Sequence, residues 1–154
     1  MDNAKKRYLV LCTGNRCRSQ MAHGWLAELG GEAVQVFSAG TQPKGVHPLS
    51  IEYMKQAGID IRHHSSDHVD AYLKEDFDAV ITVCDHAQEA CPAFPGAKRT
   101  VHHGFEDPDN QELARRDPEA FAALFTRVRD EIRDWCRGFL DAEGVTKPAG
   151  PGSA

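Results

Sequence analysis

Residues 6–19 constrain the fold of this chain more than any other part of the sequence. Residues 6–12 read KRYLVLC, an apolar run entered from a charged end, which predicts a buried strand. The loop CTGNRCRS follows, and residues 19–29 then carry apolar side chains at helical spacing before two glycines. A strand, a short loop and a helix in this order predict the first unit of a parallel sheet covered by helices.

The remainder of the chain repeats this alternation. Further strands are predicted at residues 34–38, 79–84 and 99–103, and further helices at 48–57, 70–75 and 118–140. We therefore predict an α/β protein with three layers, α/β/α, around a four-stranded parallel sheet. Residues 1–142 are predicted to form a single catalytic domain. Residues 143–154 are rich in Gly and Pro and are predicted to be a disordered tail.

Composition excludes several classes of partner. The 154 residues include 18 basic and 23 acidic side chains, and this net charge of −5 disfavours a nucleic-acid binder. The sequence has no apolar run near the ~20 residues that span a membrane, and the apolar run after the basic N-terminus is too short for a signal peptide. We expect a soluble cytoplasmic protein. Five cysteines, an odd number, favour catalytic thiols over a framework of structural disulfides there.

The loop from Cys12 to Ser19 is predicted to bind a tetrahedral oxyanion. Backbone amides and a helix N-terminus would point at one place, Gly14 would permit the tight turn, and Arg18 would offer a planar fork of donors. The same field should lower the pKa of Cys12 and make it a nucleophile. Ser19 is expected to donate to that thiolate or to cap the helix. The predicted oxyanion-binding residues are Thr13, Gly14, Asn15, Arg16, Cys17, Arg18 and Ser19. The alternative is a buried structural cysteine that ends a core strand.

An acidic turn follows the fourth predicted strand. Pro108 fixes the turn, so Asp107 can be held in one orientation and can protonate an oxygen that leaves the oxyanion. An exposed turn without catalytic function is the alternative. The predicted catalytic set is Cys12, Arg18, Cys84, Cys91 and Asp107.

Cys84 and Cys91 pose a geometric problem. If residues 85–91 are helical, they rise ~10.5 Å, whereas a disulfide needs Cα atoms roughly 4.4–6.8 Å apart. A bond between the two requires local rearrangement. If the first and third strands are neighbours at ~4.8 Å, Cys12 and Cys84 come near disulfide distance. Two unrelated buried thiols remain an alternative for Cys84 and Cys91. A zinc site with His86, His102 and His103 is a further one, although the spacing matches no familiar zinc pattern, and we expect no metal.

Three separated elements carry a resemblance to a known family: CTGN-CRSQMA at residues 12–22, the Cys84 and Cys91 pair, and Asp107-Pro108. Together they resemble the thioredoxin-coupled arsenate reductases, which share the fold of low-molecular-weight protein tyrosine phosphatases. The resemblance covers roughly residues 6–140.

The resemblance implies a thiol relay. Cys12 would attack arsenate, with Arg18 and the loop amides binding the oxyanion and Asp107 protonating the leaving oxygen. Cys84 would then attack the Cys12 sulfur and release arsenite, and Cys91 would form a second disulfide with Cys84. Thioredoxin would reduce that disulfide, and no cofactor would be needed. Phosphate or sulfate would act as analogues of arsenate.

The sequence departs from the family pattern at two places. Arg16 stands where many members carry a small residue, and it adds positive charge to the loop. Some members bind potassium at positions that correspond here to Asn15, Ser38 and Asp67, but His23 replaces the acidic ligand. Imidazole is a poor ligand for a hard cation, so we expect no potassium site.

Other functions use part of the same residues. A low-molecular-weight tyrosine phosphatase needs Cys12, Arg18 and Asp107 alone, but its usual pair of tyrosines after Asp-Pro is replaced here by Asp109-Asn110. An oxyanion sensor without turnover is a second alternative. A low-molecular-weight thiol in place of thioredoxin is a third, which would not need Cys91.

Overall fold

The computed structural model describes residues 5–84 and 94–145. Four strands lie in this part of the chain: β1 (Lys6–Cys12), β2 (Val34–Gly40), β3 (Ala79–Thr82) and β4 (Thr100–His102). The helices are α1 (Arg18–Gly30), α2 (Pro48–Gln56), α3 (Gln111–Arg116) and α4 (Pro118–Glu143). Short 3-10 turns cover Gly31–Ala33 and Val69–Tyr72.

The strands form one sheet in the order β2-β1-β3-β4, and every pairing is parallel. All the carboxyl ends therefore meet at one edge, which is where parallel sheets bind ligands. Cys12 pairs with Gly40 at that edge, and Leu11 pairs with Thr82 of β3. The predicted α/β class and four-stranded parallel sheet are confirmed.

The alternation of side chains along β1 divides the core into two layers. Tyr8, Val10 and Cys12 belong to the larger layer, which α1, α2 and α4 cover. Leu9 and Leu11 point to the other face, where the Val69–Tyr72 turn and aromatic side chains pack. A central strand buried on both faces explains why its sequence is continuously apolar.

Helix α4 supplies the widest apolar face. It begins after Asp117, whose side chain accepts a hydrogen bond from the Ala120 amide (3.1 Å), and it ends at the left-handed Gly144. Its buried residues lie on one face of the helix: Phe121, Leu124, Phe125, Val128, Ile132, Cys136, Phe139 and Leu140. This stripe packs on α1 and fixes the helix that carries Arg18.

Several predicted boundaries were wrong. Helix α4 continues to Glu143, inside the predicted tail, because the Glu143 carboxylate accepts a hydrogen bond from the Tyr8 hydroxyl (2.9 Å). The predicted helix at 70–75 is the 3-10 turn Val69–Tyr72, and α3 was not predicted. Propensity alone cannot locate such short helices, because caps and tertiary contacts stabilise them.

Two sets of predictions lie outside the described residues. The first concerns residues 85–93, with Cys91, His86 and the segment that must rearrange for a Cys84–Cys91 bond. The second concerns the tail beyond residue 145. Among the residues that are described, the helices are all too short or too polar to cross a bilayer.

Candidate active site

The loop between β1 and α1 turns its carbonyl groups away from the centre of the site. The Thr13 carbonyl accepts from the Gln42 amide (2.8 Å), and the Gly14 carbonyl accepts from the Lys44 amide (2.9 Å). The Arg16 carbonyl accepts from the Ser50 hydroxyl (3.0 Å). With its carbonyls held outward in this way, the loop is free to point its amides at an anion in front of α1. The first turn of α1 contains no acidic residue, so nothing there opposes the helix dipole.

Asn15, not Gly14, provides the unusual turn of this loop. Its φ of 48° is the only left-handed value at a non-glycine residue in the described chain. The predicted role of Gly14 was therefore wrong, and Asn is one of the few residues that tolerate this backbone. Ser19 donates its hydroxyl hydrogen to the Asn15 side chain (2.7 Å), and no side chain caps α1. Neither expectation for Ser19 is met, because that hydroxyl is used within the loop.

Gly40 allows β2 to approach the back of the loop. A Cβ at this position would lie 2.6 Å from the Thr13 carbonyl oxygen and 3.1 Å from the Asn15 amide nitrogen. The first distance is shorter than any normal contact of a Cβ atom and the second is tight, so this close approach favours glycine. The Ala39-Gly40 pair at the end of the strand was a weak signal for this approach.

Cys12 and Cys84 meet at the base of the loop. The two thiols are in hydrogen-bond contact, and the Cys84 sulfur also lies 3.4 Å from the Thr13 hydroxyl. Both sulfurs are reduced and buried. The expectation that neighbouring strands would bring these two residues together is met, because β1 and β3 are paired in register.

The pKa of Cys12 is raised, contrary to the prediction. The hydrogen bond with Cys84 is the largest cause and burial is the second, while the Arg18 guanidinium and the Thr13 amide act in the opposite direction. Two buried thiols in contact cannot both release their protons easily. Arg18 and the Thr13 amide do lower the pKa of Cys12, as predicted, but the hydrogen bond with Cys84 raises it by more.

Arg18 and Asp107 form the opposite wall. One guanidinium nitrogen of Arg18 donates to the Phe105 carbonyl (3.1 Å), and another lies 3.7 Å from an Asp107 carboxylate oxygen. The other oxygen of Asp107 accepts from the Asp109 amide (3.0 Å). This turn holds Asp107 in one orientation beside Arg18, as an acid for a leaving oxygen requires.

A second charged group, which sequence reasoning did not assign, lies at the mouth of the site. Asp109 is 4.0 Å from Arg16 and 3.4 Å from the Nε2 of His47. The cavity in front of the loop has a volume of about 220 Å³. It is lined by Cys12, Thr13, Gly14, Arg16, Cys17, Arg18, Lys44, Asp107 and Asp109. Three cations against two carboxylates give this small cavity a net positive charge that suits an anion.

The other described cysteines have different surroundings. Burial raises the pKa of Cys17 to about 11, although the Ser50 hydroxyl acts against it, and the side chain lines the cavity. Cys136 is fully buried between α4 and α1. In residues 5–84 and 94–145, the side chains of His, Cys, Asp and Glu form no group of three or more that can hold a metal ion.

Comparison with known proteins decides the family. The family model described as low molecular weight phosphotyrosine protein phosphatase matches residues 7–148. The chain belongs to this family. Within it, the chain is 48% identical over 137 residues to an arsenate reductase of Halalkalibacterium halodurans, covering 89% of this chain and 96% of the relative.

Solved structures within the family agree. An arsenate reductase in a phosphate-binding state superposes with a TM-score of 0.75 at 30% identity, over 89% of this chain and 98% of that one. A thioredoxin-dependent arsenate reductase of Corynebacterium glutamicum superposes with a TM-score of 0.67 at 25% identity, over 90% and 60% of the respective chains. The predicted family and its phosphatase-like fold are confirmed.

Proposed function

We propose that this protein reduces arsenate to arsenite, with Cys12 as the nucleophile and Cys84 as the second thiol. One observation carries the proposal: a second reduced thiol contacts the sulfur of the family nucleophile at the base of an oxyanion cavity. A phosphatase needs only the nucleophilic cysteine, and a second thiol in contact with it would allow that nucleophile to be oxidised to a disulfide. The similarity to proteins named arsenate reductase supports the same reaction.

The oxyanion is held by the loop amides and by Arg18, whose guanidinium is anchored to the Phe105 carbonyl. Arg16 adds a second positive charge, since it lines the cavity and its Nε is buried without a hydrogen-bond partner among the described residues. Thr13, Gly14, Asn15, Cys17 and Ser19 complete the proposed oxyanion-binding set. Phosphate and sulfate have the same shape and should compete with arsenate.

In the first step, the Cys12 sulfur attacks arsenic and an S–As bond forms. One arsenate oxygen leaves as water, and Asp107 delivers a proton to it. In the second step, the Cys84 sulfur attacks Cys12 Sγ, and the electron pair of the S–As bond stays on arsenic. Arsenate is thereby reduced by two electrons to arsenite. The two thiols are oxidised to a Cys12–Cys84 disulfide, and their two protons account for the water released.

We propose that Cys91 and thioredoxin regenerate the enzyme. Cys91 would attack Cys84, free Cys12 and present a Cys84–Cys91 disulfide to the reductant. The similarity to a structure described as a thioredoxin-dependent arsenate reductase supports this choice of donor. The proposed relay needs reduced thiols before each turnover, so we place the protein in the cytoplasm, which is a reducing compartment. No flavin, nicotinamide or metal is required by this electron balance.

Low-molecular-weight phosphatase activity is the second candidate, because the family match includes Cys12, Arg18 and Asp107. At the mouth, Asp109 pairs with Arg16 and His47 in the place where an aromatic wall would frame a phosphotyrosine. The Asp109 carboxylate replaces that aromatic surface and adds a negative charge, so it disfavours binding of an aryl phosphate. We therefore expect only slow hydrolysis of aryl phosphates.

Arsenite formation with thioredoxin, thioredoxin reductase and NADPH tests the proposal. Wild-type protein should cycle, Cys12→Ser should release no arsenite, and Cys91→Ser should release one arsenite per chain and stop. Cys136→Ala is the matched control, because it removes a buried thiol of the core that lies outside the cavity and outside the relay. Aryl phosphate hydrolysis faster than arsenate reduction, or continued cycling of Cys91→Ser, would contradict the proposal.

A further inference from the structure

The underside of the oxyanion loop depends on one strained residue. Asn15 is fully buried, and its left-handed backbone is fixed from three directions. Its carbonyl oxygen accepts from Gln20 Nε2 (3.1 Å) and from the Ser66 hydroxyl (3.2 Å), and its Oδ1 accepts from Ser19 (2.7 Å). The residues that hold these partners in place therefore also position the backbone amides of the oxyanion loop.

Gln20 is the central partner. It is fully buried, and its Nε2 donates to two backbone carbonyls, those of Asn15 and Ser65 (2.9 Å). This fixes the orientation of the amide, so its Oε1 must accept from His64 Nδ1 at 2.9 Å. His64 therefore carries a proton on Nδ1.

The second face of His64 is covered by His23. The two rings are stacked, with centroids 3.9 Å apart and planes 19° from parallel, and His23 Nδ1 bonds to the Ser38 hydroxyl (2.9 Å). Burial is the main cause that lowers the pKa of His23 to about 3 and that of His64 to about 4. The pKa of His23 is lowered further by His64 and His63, and that of His64 by His63. Both rings are uncharged at neutral pH.

These residues do not suit an alkali cation. The Asn15 and Ser38 oxygens already bond to Ser19 and His23, and the Asp67 carboxylate accepts from the Ser65 hydroxyl and the Tyr72 hydroxyl (3.0 Å each). The free Nδ2 of Asn15 is a donor, which a cation repels. Imidazole nitrogen in place of a carboxylate removes the charge that a hard cation needs.

We propose that Gln20, His64 and His23 are positioning residues that hold the Asn15 turn of the oxyanion loop in place of a bound alkali cation. The assembly is neutral, so the loop should be ordered without potassium. The inference concerns anion binding by the proposed active site and does not depend on the thiol relay. It is therefore tested with inorganic phosphate, whose binding is independent of arsenate reduction.

The first test compares phosphate affinity of the wild-type protein, by calorimetry, in potassium, sodium and choline chloride at one ionic strength. The expected dissociation constants agree within about twofold. Binding that is tenfold or more tighter in potassium alone would overturn the proposal. This measurement needs no substitution and so cannot be confused with misfolding.

The second test separates positioning from folding. His64→Leu removes the donor to Gln20 and should weaken phosphate binding about tenfold, the usual cost of an unsatisfied buried acceptor. His64→Asn keeps a donor and should restore most of that affinity. His63→Ala is the matched control, because His63 is exposed and meets the ring of His64 edge to face. Equal affinities for His64→Leu and His63→Ala would overturn the proposal.

The third test restores a cation site. His23→Glu places a carboxylate beside Ser38 and Asp67, and potassium should then raise the melting temperature of the variant more than sodium does. The wild-type melting temperature should respond equally to both salts. If potassium raised the melting temperature of the wild type more than sodium did, and His23→Glu did not enlarge that difference, the assignment of His23 would be wrong.

Discussion

The Cys84 thiol is in hydrogen-bond contact with the Cys12 thiol, and this contact is the main reason that the pKa of Cys12 is raised. The register of β1 and β3 produces it, since both strands end at the same edge of the sheet. The contact has two opposite effects. It brings the resolving thiol within reach of the nucleophile, and it suppresses the nucleophile's thiolate until Cys84 moves or is removed.

Replacement of Cys84 by Ala should therefore lower the pKa of Cys12. The largest raising cause disappears, while the Arg18 guanidinium and the Thr13 amide remain. At neutral pH a larger fraction of Cys12 would be thiolate, and it would react faster with iodoacetamide. The pH dependence of alkylation, followed on the Cys12 peptide by mass spectrometry, measures this shift.

Cys136→Ala is the control for that shift, since Cys136 is buried in the core away from the loop. It should leave the alkylation profile of Cys12 unchanged. An unchanged or higher Cys12 pKa in Cys84→Ala would show that Cys84 does not control the nucleophile.

Arg18→Lys should weaken oxyanion binding by roughly tenfold or more, because Lys keeps the charge but loses the planar fork of donors. The Phe105 carbonyl would also lose the donor that it has in Arg18. The value of kcat/KM for arsenate measures the effect. Arg133→Lys, whose side chain pairs with Asp134 on α4, is the matched control and should behave as wild type. Similar values of kcat/KM for the two variants would show that Arg18 does not bind the oxyanion.

Asp109→Asn should tighten oxyanion binding by up to about fivefold, as expected when one partly exposed charge pair is released. The substitution removes a negative charge from the cavity mouth and frees Arg16, which lies 4.0 Å from Asp109. Calorimetric titration with sulfate measures it, and the gain should shrink as salt is added.

Asp134→Asn changes the net charge equally, but at an exposed position on α4. If it tightened sulfate binding as much as Asp109→Asn does, the effect would reflect the total charge of the protein and not the pairing with Arg16.

Gly40→Ala should weaken oxyanion binding and lower the free energy of unfolding by about 1–3 kcal/mol, the usual cost of overpacking. The new methyl group would lie 2.6 Å from the Thr13 carbonyl oxygen and displace the loop. Denaturant unfolding and phosphate titration measure the two effects.

Gly138→Ala is the matched control in the middle of α4, where a Cβ meets nothing within 4 Å. It should stabilise the protein by about 0.5–1 kcal/mol, because alanine favours a helix more than glycine does. Equal responses of the two variants would mean that Gly40 has no special contact with the loop.

The sequence by itself determined the α/β class, the parallel sheet and the strand–loop–helix unit with Cys12 and Arg18. Continuous apolar runs and a loop of fixed spacing are local signals, so they can be read without the fold. The closeness of Cys12 and Cys84 followed only on the condition that their strands are neighbours. The short helix α3 had no comparable signal, and the 3-10 turn Val69–Tyr72 was predicted as a helix over residues 70–75.

Only the tertiary structure decided the chemistry around the loop. It put the left-handed turn at Asn15 and not at Gly14, used Ser19 inside the loop, and raised the pKa of Cys12 through Cys84. It also stacked His23 on His64, 41 residues further along the chain, beneath Gln20. These features depend on distances between segments that are remote in sequence, and no local pattern of residues encodes those distances.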